Sequence, residues 1–310
     1  GLYQEFFGGS GGSTWEQMAD AISGTFSVTL DKNASSGDQA GWAYADKQAD
    51  PLHVSLAGNL GSGRAYYSGS NFNIKGEKTP LAISDRPRFS DGNLEMERAI
   101  WEAFASNTLW NDIGVNVSPI LAILDIHEDC RVLWRDHPVR RAKIIRMDFG
   151  GTMDRITHVF FRKAPLTQSS LLHTAECFGV HAAEKFLHRI THGAWSPGNI
   201  SLDGNLLDFD TVCAVKGRSP LHSSSQWHVE NYFGFEHLGQ VNVLDALAAD
   251  SGINTQKVSI DTLKQVFLAS QQTRLHEGFL HLMGFEDTRQ LAQNYENELA
   301  WLVTSFHALA

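Results

Sequence analysis

Apolar residues recur every three or four positions along much of the chain, and the first half also carries short apolar runs between glycines, prolines and asparagines. The first pattern is typical of amphipathic helices and the second of strands. Helices are predicted over residues 15–22, 93–112, 167–190, 239–248, 260–270, 271–283 and 287–306. Strands are predicted at 25–30, within a β-meander over 50–78, at 119–124 and at 142–147. Strands early in the chain and helices late predict an α+β fold.

The predicted helix over 93–112 has an apolar face with one acidic residue inside it. Glu102 lies at mid-helix, and one interpretation is a solvated surface glutamate. The other is an ion pair with Lys75, which would orient the lysine toward phosphate. The predicted apolar face consists of Leu94, Ile100, Trp101, Phe104, Ala105, Thr108 and Leu109.

The composition disfavours two classes of partner. The 310 residues have a net charge of −10, whereas a nucleic-acid partner needs a basic surface. A membrane span needs about 20 consecutive apolar residues, and no stretch supplies them. Cys130, Cys177 and Cys213 are odd in number, far apart and without a CxxC pair. These cysteines therefore predict a reducing, cytoplasmic location.

Three potential metal ligands share one face of the predicted helix over 167–190. His173, Cys177 and His181 follow one another at four-residue spacing. The glutamate of a zinc-protease pattern does not accompany them, so the pattern favours structural histidines over a metal site.

The most informative stretch combines a polar turn with a hairpin. The residues after Asn199 predict a tight β-hairpin closed by Asp203 and Gly204, which brings Asp208 back beside Asn199. An amide oxygen next to a carboxylate suits Mg²⁺ that also carries phosphates, with Mn²⁺ as the alternative metal. Kinase-like folds space their metal-binding Asn and Asp in this way, but usually have an Asp base where this chain has Ala194.

Several residues suit nucleotide phosphates. Gly61 and Gly63 lie in a turn between predicted strands, where glycine lets the backbone approach a ligand closely. Arg64 adjoins this turn, and Lys75 ends a following strand.

Two arginines add fork-like donors for phosphate oxygens. Arg146 and Arg155 are predicted to converge on the Lys75 pocket through a chain reversal at residues 150–151. The alternative is that one of them pairs with Asp148 or Asp154 at the surface.

Taken in order, these motifs resemble those of the selenoprotein O family of protein adenylyltransferases over roughly residues 50–250. Two features depart from that family. The two arginines are nine residues apart where the family has seven, and Gly198 replaces the family's proposed proton acceptor, an Asp just before the metal-binding Asn. The matching motifs are Leu60-Gly61-Ser62-Gly63-Arg64-Ala65, Ile74-Lys75-Gly76, Asp91-Gly92 with Glu102, Arg146 with Arg155, His192-Gly193 with Asn199 and Asp208, and Asn231-Tyr232-Phe233-Gly234-Phe235.

The resemblance implies a bilobal protein-kinase-like fold, with an N-lobe of antiparallel sheet plus one helix over 1–135 and a mostly helical C-lobe over 136–310. It implies ATP and Mg²⁺ as cofactors and transfer of AMP to a hydroxyl of a protein or peptide. His192 or Asp210 would partly replace the missing base. The implied nucleotide-binding residues are Gly61, Gly63, Arg64, Lys75, Asp91, Gly92, Arg146 and Arg155. The implied catalytic residues are Lys75, Glu102, His192, Asn199 and Asp210, and the implied metal ligands are Asn199 and Asp208.

Two other functions stay open. A kinase-like phosphotransferase fits the same spacing of His192, Asn199 and Asp208. A nucleotide-binding pseudoenzyme that serves as a partner subunit, for example in peptide maturation, is favoured by Ala194 and Gly198, since neither supplies a base.

Overall fold

A computed structural model describes residues 14–26, 65–68, 72–76, 93–131, 135–147, 155–162, 165–202, 204–215, 232–295 and 297–301. The chain divides into two compact units. The first comprises Gly1–Asn107 with Ser118–Met153, and the second Thr108–Val117 with Asp154–Ala310. The lobes predicted from the sequence divide at residue 135, whereas these units place the strand after that residue with the first.

The first described element is helix α1, Trp15–Phe26. Thr14 begins it, because its hydroxyl accepts the Gln17 N–H while the Gln17 side chain accepts the Thr14 N–H. This reciprocal pair is a capping box. The predicted strand at 25–30 is wrong at Thr25 and Phe26, which belong to the helix, and residues 27–30 lie outside the described residues.

The first unit contains a four-stranded antiparallel sheet. Its strands are β1 (Ala65–Ser68), β2 (Phe72–Lys75), β3 (Ile120–Cys130) and β4 (Val139–Met147), in the order β1-β2-β4-β3. The predicted α+β class is therefore confirmed. In the β2–β4 register, Lys75 lies opposite Ile144 and residue 73 opposite Arg146. Since paired residues and alternate residues share a face, Lys75, Ile144 and Arg146 lie on the same side of the sheet.

Helix α2, Met96–Thr108, packs on that side of the sheet and continues into a π-helical turn, Leu109–Ile113. The predicted apolar face of this helix is wrong at its largest members. Ile100, Trp101 and Phe104 are 54, 45 and 61% exposed. Small residues and Glu102 face inward instead, which lets the helix axis approach the sheet closely. The buried residues of α2 are Ala99, Glu102, Ala105 and Ser106.

The second unit is mostly helical. Thr167 begins helix α4 (Gln168–Leu187) and Ser259 begins helix α6 (Ile260–Leu282), because their hydroxyls accept N–H groups of the first turns. The predicted break after Ser270 is wrong, because neither Gly nor Pro adjoins that residue and α6 continues through it for 23 residues in all. None of the helices within the described residues is long and apolar enough to cross a membrane. The helices are α3 (Ile156–Arg162), α4 (Gln168–Leu187), α5 (Tyr232–Ala249), α6 (Ile260–Leu282) and α7 (Thr288–Asn294), and residues 297–301 are also helical.

Helix α4 is the central element of this unit, and it packs against α5 and α6. Gly179 permits the close crossing with α6, because a Cβ there would lie 2.3 Å from the Phe267 carbonyl oxygen. After α4, the chain forms a two-stranded ribbon of β5 (Ile190–Thr191) and β6 (Cys213–Ala214). The polar turn and hairpin predicted from the sequence lie between these two strands.

Candidate functional site

Three buried charged side chains form one cluster in the first unit. Lys75 Nζ donates to Glu102 Oε2 at 2.7 Å, and Arg146 Nη2 donates to Glu102 Oε1. Their exposed fractions are 2, 0 and 1% for Lys75, Glu102 and Arg146. The predicted Lys75–Glu102 ion pair is confirmed, and Glu102 also brings Arg146 to the same place.

The register of the sheet explains why these three side chains meet. Lys75 on β2 and Arg146 on β4 project from the face that α2 covers, and Glu102 lies on the buried side of α2. Both carboxylate oxygens of Glu102 are therefore engaged by cations. These three charges lie in a region where water screens poorly, so electrostatic interactions between them are strong.

The hairpin predicted after Asn199 is confirmed by its backbone contacts. Leu207 N–H donates to the Asn199 carbonyl at 2.9 Å, and Ser201 N–H donates to the Asn205 carbonyl at 2.9 Å. Gly204 allows the tight turn, because its φ is +77° and a Cβ there would lie 2.5 Å from Cys177 Cβ. The backbone thus returns to Asn199 one residue before Asp208.

Asn199 and Asp208 are held in ways that suit a cation site. Asn199 Nδ2 donates to the Ala194 carbonyl at 2.9 Å, so the amide oxygen is the atom of that side chain able to bind a cation. Asp208 has a left-handed backbone, with φ 63° and ψ 60°. A non-glycine residue pays conformational strain there, and such strain concentrates at functional sites. Both side chains are half-buried.

The remaining coordination of a cation would have to come from other oxygens. Across the ranges that the structure describes, no cluster of three or more His, Cys, Asp or Glu side chains could hold a metal ion. A two-oxygen protein site is the pattern of Mg²⁺, which retains waters and binds substrate phosphates. Asp210 lies two residues from Asp208, half-buried in the 3₁₀ turn Phe209–Thr211.

His192 is a buried connector between the loop and the hairpin. It is 1% exposed, and Nε2 contacts the Leu207 carbonyl oxygen at 2.6 Å. A carbonyl only accepts, so Nε2 carries the proton. Burial lowers the pKa of His192, which keeps the ring neutral. Its ring also lies against Phe209, with centroids 5.2 Å apart. This placement gives His192 a positioning role beside Asp208.

Three further residues hold the loop, and no pattern in the sequence predicted this role for them. Glu236 Oε1 accepts the Gly193 N–H at 2.9 Å, and its Oε2 accepts from Lys185 Nζ at 2.5 Å. Arg155 Nη1 donates to the Gly198 carbonyl at 2.8 Å, immediately before Asn199. The usable signal for Glu236 is a charged residue at helical spacing from apolar neighbours, which is also the signal that identified Glu102.

The other predicted site residues have different outcomes. Gly61, Gly63, Arg64, Asp91 and Gly92 lie outside the described residues. The expected convergence of both arginines on Lys75 stays a prediction for Arg155, which belongs to the second unit.

The comparisons add no identification. No known protein-family model matches the sequence, and no curated protein shows significant similarity to it. The resemblance to selenoprotein O therefore stays a prediction that rests on the motifs.

Proposed function

We propose that this chain is a bilobal, kinase-like nucleotidyltransferase that uses Mg²⁺–ATP and transfers AMP to a hydroxyl of a protein or peptide. The observation that carries the proposal is the buried cluster of Lys75, Glu102 and Arg146. Removing charges from water is costly, and the same positions filled by apolar residues are often as stable or more so. Binding of a ligand with concentrated negative charge would explain why these two cations are buried.

Each side chain has a chemical task in this proposal. Lys75 and Arg146 contact phosphate oxygens, and Glu102 fixes both cations in place before the ligand arrives. Asn199 and Asp208 would hold Mg²⁺, which supplies neutralisation of phosphate charge when bound. Arg155 and His192 maintain the shape of the loop and hairpin through Gly198 and Leu207.

The transfer balances as a simple displacement. The acceptor oxygen forms a bond to the α-phosphorus, the bond from that phosphorus to the bridging oxygen breaks, and pyrophosphate leaves with the electron pair. The hydroxyl proton passes to Asp210 or to solvent. General-base help is typically worth about 10²–10⁴-fold. Because the transition state of phosphoryl-type transfer is loose, Ala194 and Gly198 slow the reaction without forbidding it.

The proposal is tested by parallel incubations with α-labelled and γ-labelled ATP, Mg²⁺ and a mixture of serine and threonine peptides. Label from α alone means adenylylation, whereas label from γ means phosphotransfer and contradicts the proposal. Lys75→Met and Asp208→Asn should each lower the α-label at least tenfold. Lys264→Met is the matched control, because Lys264 forms a half-exposed pair with Asp245 at 2.9 Å.

A second function is favoured by one specific observation. Residue 198 contributes only its backbone to the loop, and its carbonyl is engaged by Arg155. With no acidic side chain at 194 or 198, a nucleotide-binding pseudoenzyme is the alternative. Calorimetric binding of Mg²⁺–ATP without transfer of either label would establish it in place of the transferase. Absence of both binding and label would refute both functions.

A further inference from the structure

We propose that a groove beside the candidate catalytic loop binds a large apolar side chain of the acceptor, two or three residues from the hydroxyl that is modified. This inference rests on the proposed function and specifies its substrate class. The groove has a volume of about 400 Å³. Its floor is the loop itself, at Trp195, Ser196 and Pro197, and its walls come from α3 and α5.

The groove is preformed, because its floor is fixed on several sides. Trp195 is 7% exposed and packs edge-on against Phe178, with ring centroids 5.5 Å apart. On the α5 side, a Cβ at Gly239 would lie 2.9 Å from the Trp195 ring, so only glycine allows this approach. Thr157 N–H donates to the Pro197 carbonyl at 3.2 Å and fixes the loop to α3. A preformed groove costs little ordering on binding.

The chemistry of the groove selects its occupant. The described residues that line it carry no charged side chain, although 19% of the chain is charged. Phosphates and charged side chains would lose hydration there, and among the described lining side chains only the Ser196 hydroxyl and the Asn242 amide could compensate. Phe235 on the rim is 40% exposed, and Leu238 and Phe160 add apolar surface. The volume lies at the lower end of the range for ligand pockets, about 300–1,000 Å³. An aromatic or large aliphatic side chain fits these properties.

The position of the groove relative to Asn199 sets the register of the peptide. Asn199 N–H donates to the Ser196 carbonyl at 2.9 Å, which closes a four-residue turn. In such a turn the first and last Cα atoms lie within about 7 Å. An extended peptide advances about 3.3 Å per residue. A side chain in the groove therefore lies two or three residues from a hydroxyl placed beside Asn199.

The groove is tested directly by photo-crosslinking, without ATP. The probes are seven-residue glycine-rich peptides with a central serine and one benzoyl-phenylalanine, placed in turn from three residues before the serine to three after it. Crosslinks should map to residues 235–246 or to the loop. Ala246→Phe, which fills the groove from α5, should lower the yield at least fivefold. Ala269→Phe is the control, because Ala269 is also an exposed helical alanine and lies outside the groove.

The register is tested with the same peptide series containing phenylalanine and with α-labelled ATP. Labelling should be greatest when phenylalanine is two or three residues from the serine, and Ala246→Phe should abolish that preference. The groove assignment would be overturned by crosslinks elsewhere or by equal crosslink yields in Ala246→Phe and Ala269→Phe. It would also be overturned if a second copy of the chain excluded the probe. Crosslinks in the groove with no α-label on any peptide would support the groove assignment and refute the transferase. The two failures are therefore distinguishable.

Discussion

Glu102→Gln is the substitution that tests the buried cluster most sharply. Glutamine keeps the shape of the side chain but removes the charge that both Lys75 and Arg146 contact. The amide oxygen can still accept one hydrogen bond, while the amide NH₂ group faces a cation. Removing one partner from a buried ion pair costs about 3–5 kcal/mol. For a folded unit of this size, that loss lowers the melting temperature by roughly 6–20 °C.

The assay is urea unfolding followed by tryptophan fluorescence and circular dichroism. Glu97→Gln is the matched control on the same helix, because its side chain is 79% exposed and contacts Arg135 at 2.7 Å. An exposed pair of this kind contributes at most about 1 kcal/mol. If Glu102→Gln loses no more stability than Glu97→Gln, burial does not strengthen the interactions of Glu102. A large loss with unchanged ATP affinity would leave the cluster a purely structural feature.

Three further predictions concern the second unit. Burial lowers the pKa of His181 to about 3, and the charges of Lys185 and His192 contribute to this shift. In the unfolded chain the pKa is near 6.5. The contribution of His181 to the free energy of unfolding is therefore fully present above about pH 6.5 and decreases as the pH falls. The loss should reach about 2 kcal/mol at pH 5, and His181→Gln should reduce the slope of unfolding free energy against pH; an unchanged slope would contradict this. Gly204→Ala should lower the free energy of unfolding in urea by about 2–4 kcal/mol, because of its left-handed backbone and the clash with Cys177. Gly284 has φ +90° but open space around it, so Gly284→Ala should lose only the contribution of the backbone strain. The free energy of unfolding of Asp208→Asn should lie within about 1 kcal/mol of the parent value, since Asn tolerates left-handed geometry. The same variant should lose Mg²⁺-dependent ATP binding in calorimetry. Equal ATP affinity would refute the assignment of Asp208 as a metal ligand.

Local sequence signals predicted the parts of the site that depend on short-range geometry. The turn at Gly204 fixes the hairpin, so the return of the chain to Asn199 could be inferred from a few residues. Thr167 and Ser259 likewise mark helix starts by the reach of a hydroxyl to the first turn. The Lys75–Glu102 pair is long-range, and only its likeness to a known arrangement made it predictable.

The face of α2 could not be predicted from apolar spacing, because helix periodicity alone does not say what the neighbouring element will accept. Lys75 and Arg146 of the sheet lie at this contact, and Glu102 forms ion pairs with both. With Glu102 facing the sheet, Trp101 and Phe104 face outward. The supports from Glu236 and Arg155 were missed for a related reason. Each acts on a backbone atom of the loop, and backbone contacts leave no pattern in the side-chain sequence.

The arrangement of the loop separates nucleotide positioning from proton removal. His192, Glu236 and Arg155 all hold the loop in place, and Glu236 and Arg155 do so through backbone groups of residues 193 and 198. The loop geometry is therefore independent of the acidic side chains that 194 and 198 lack. It follows that Ala194→Asp or Gly198→Asp should leave ATP affinity within about threefold and raise the rate of α-label transfer. The upper limit is the factor of about 10²–10⁴ that a general base supplies. A gain in rate would mean that the chain is a slowed transferase. An unchanged rate of zero with intact binding would mean that the same buried supports serve a nucleotide-binding subunit.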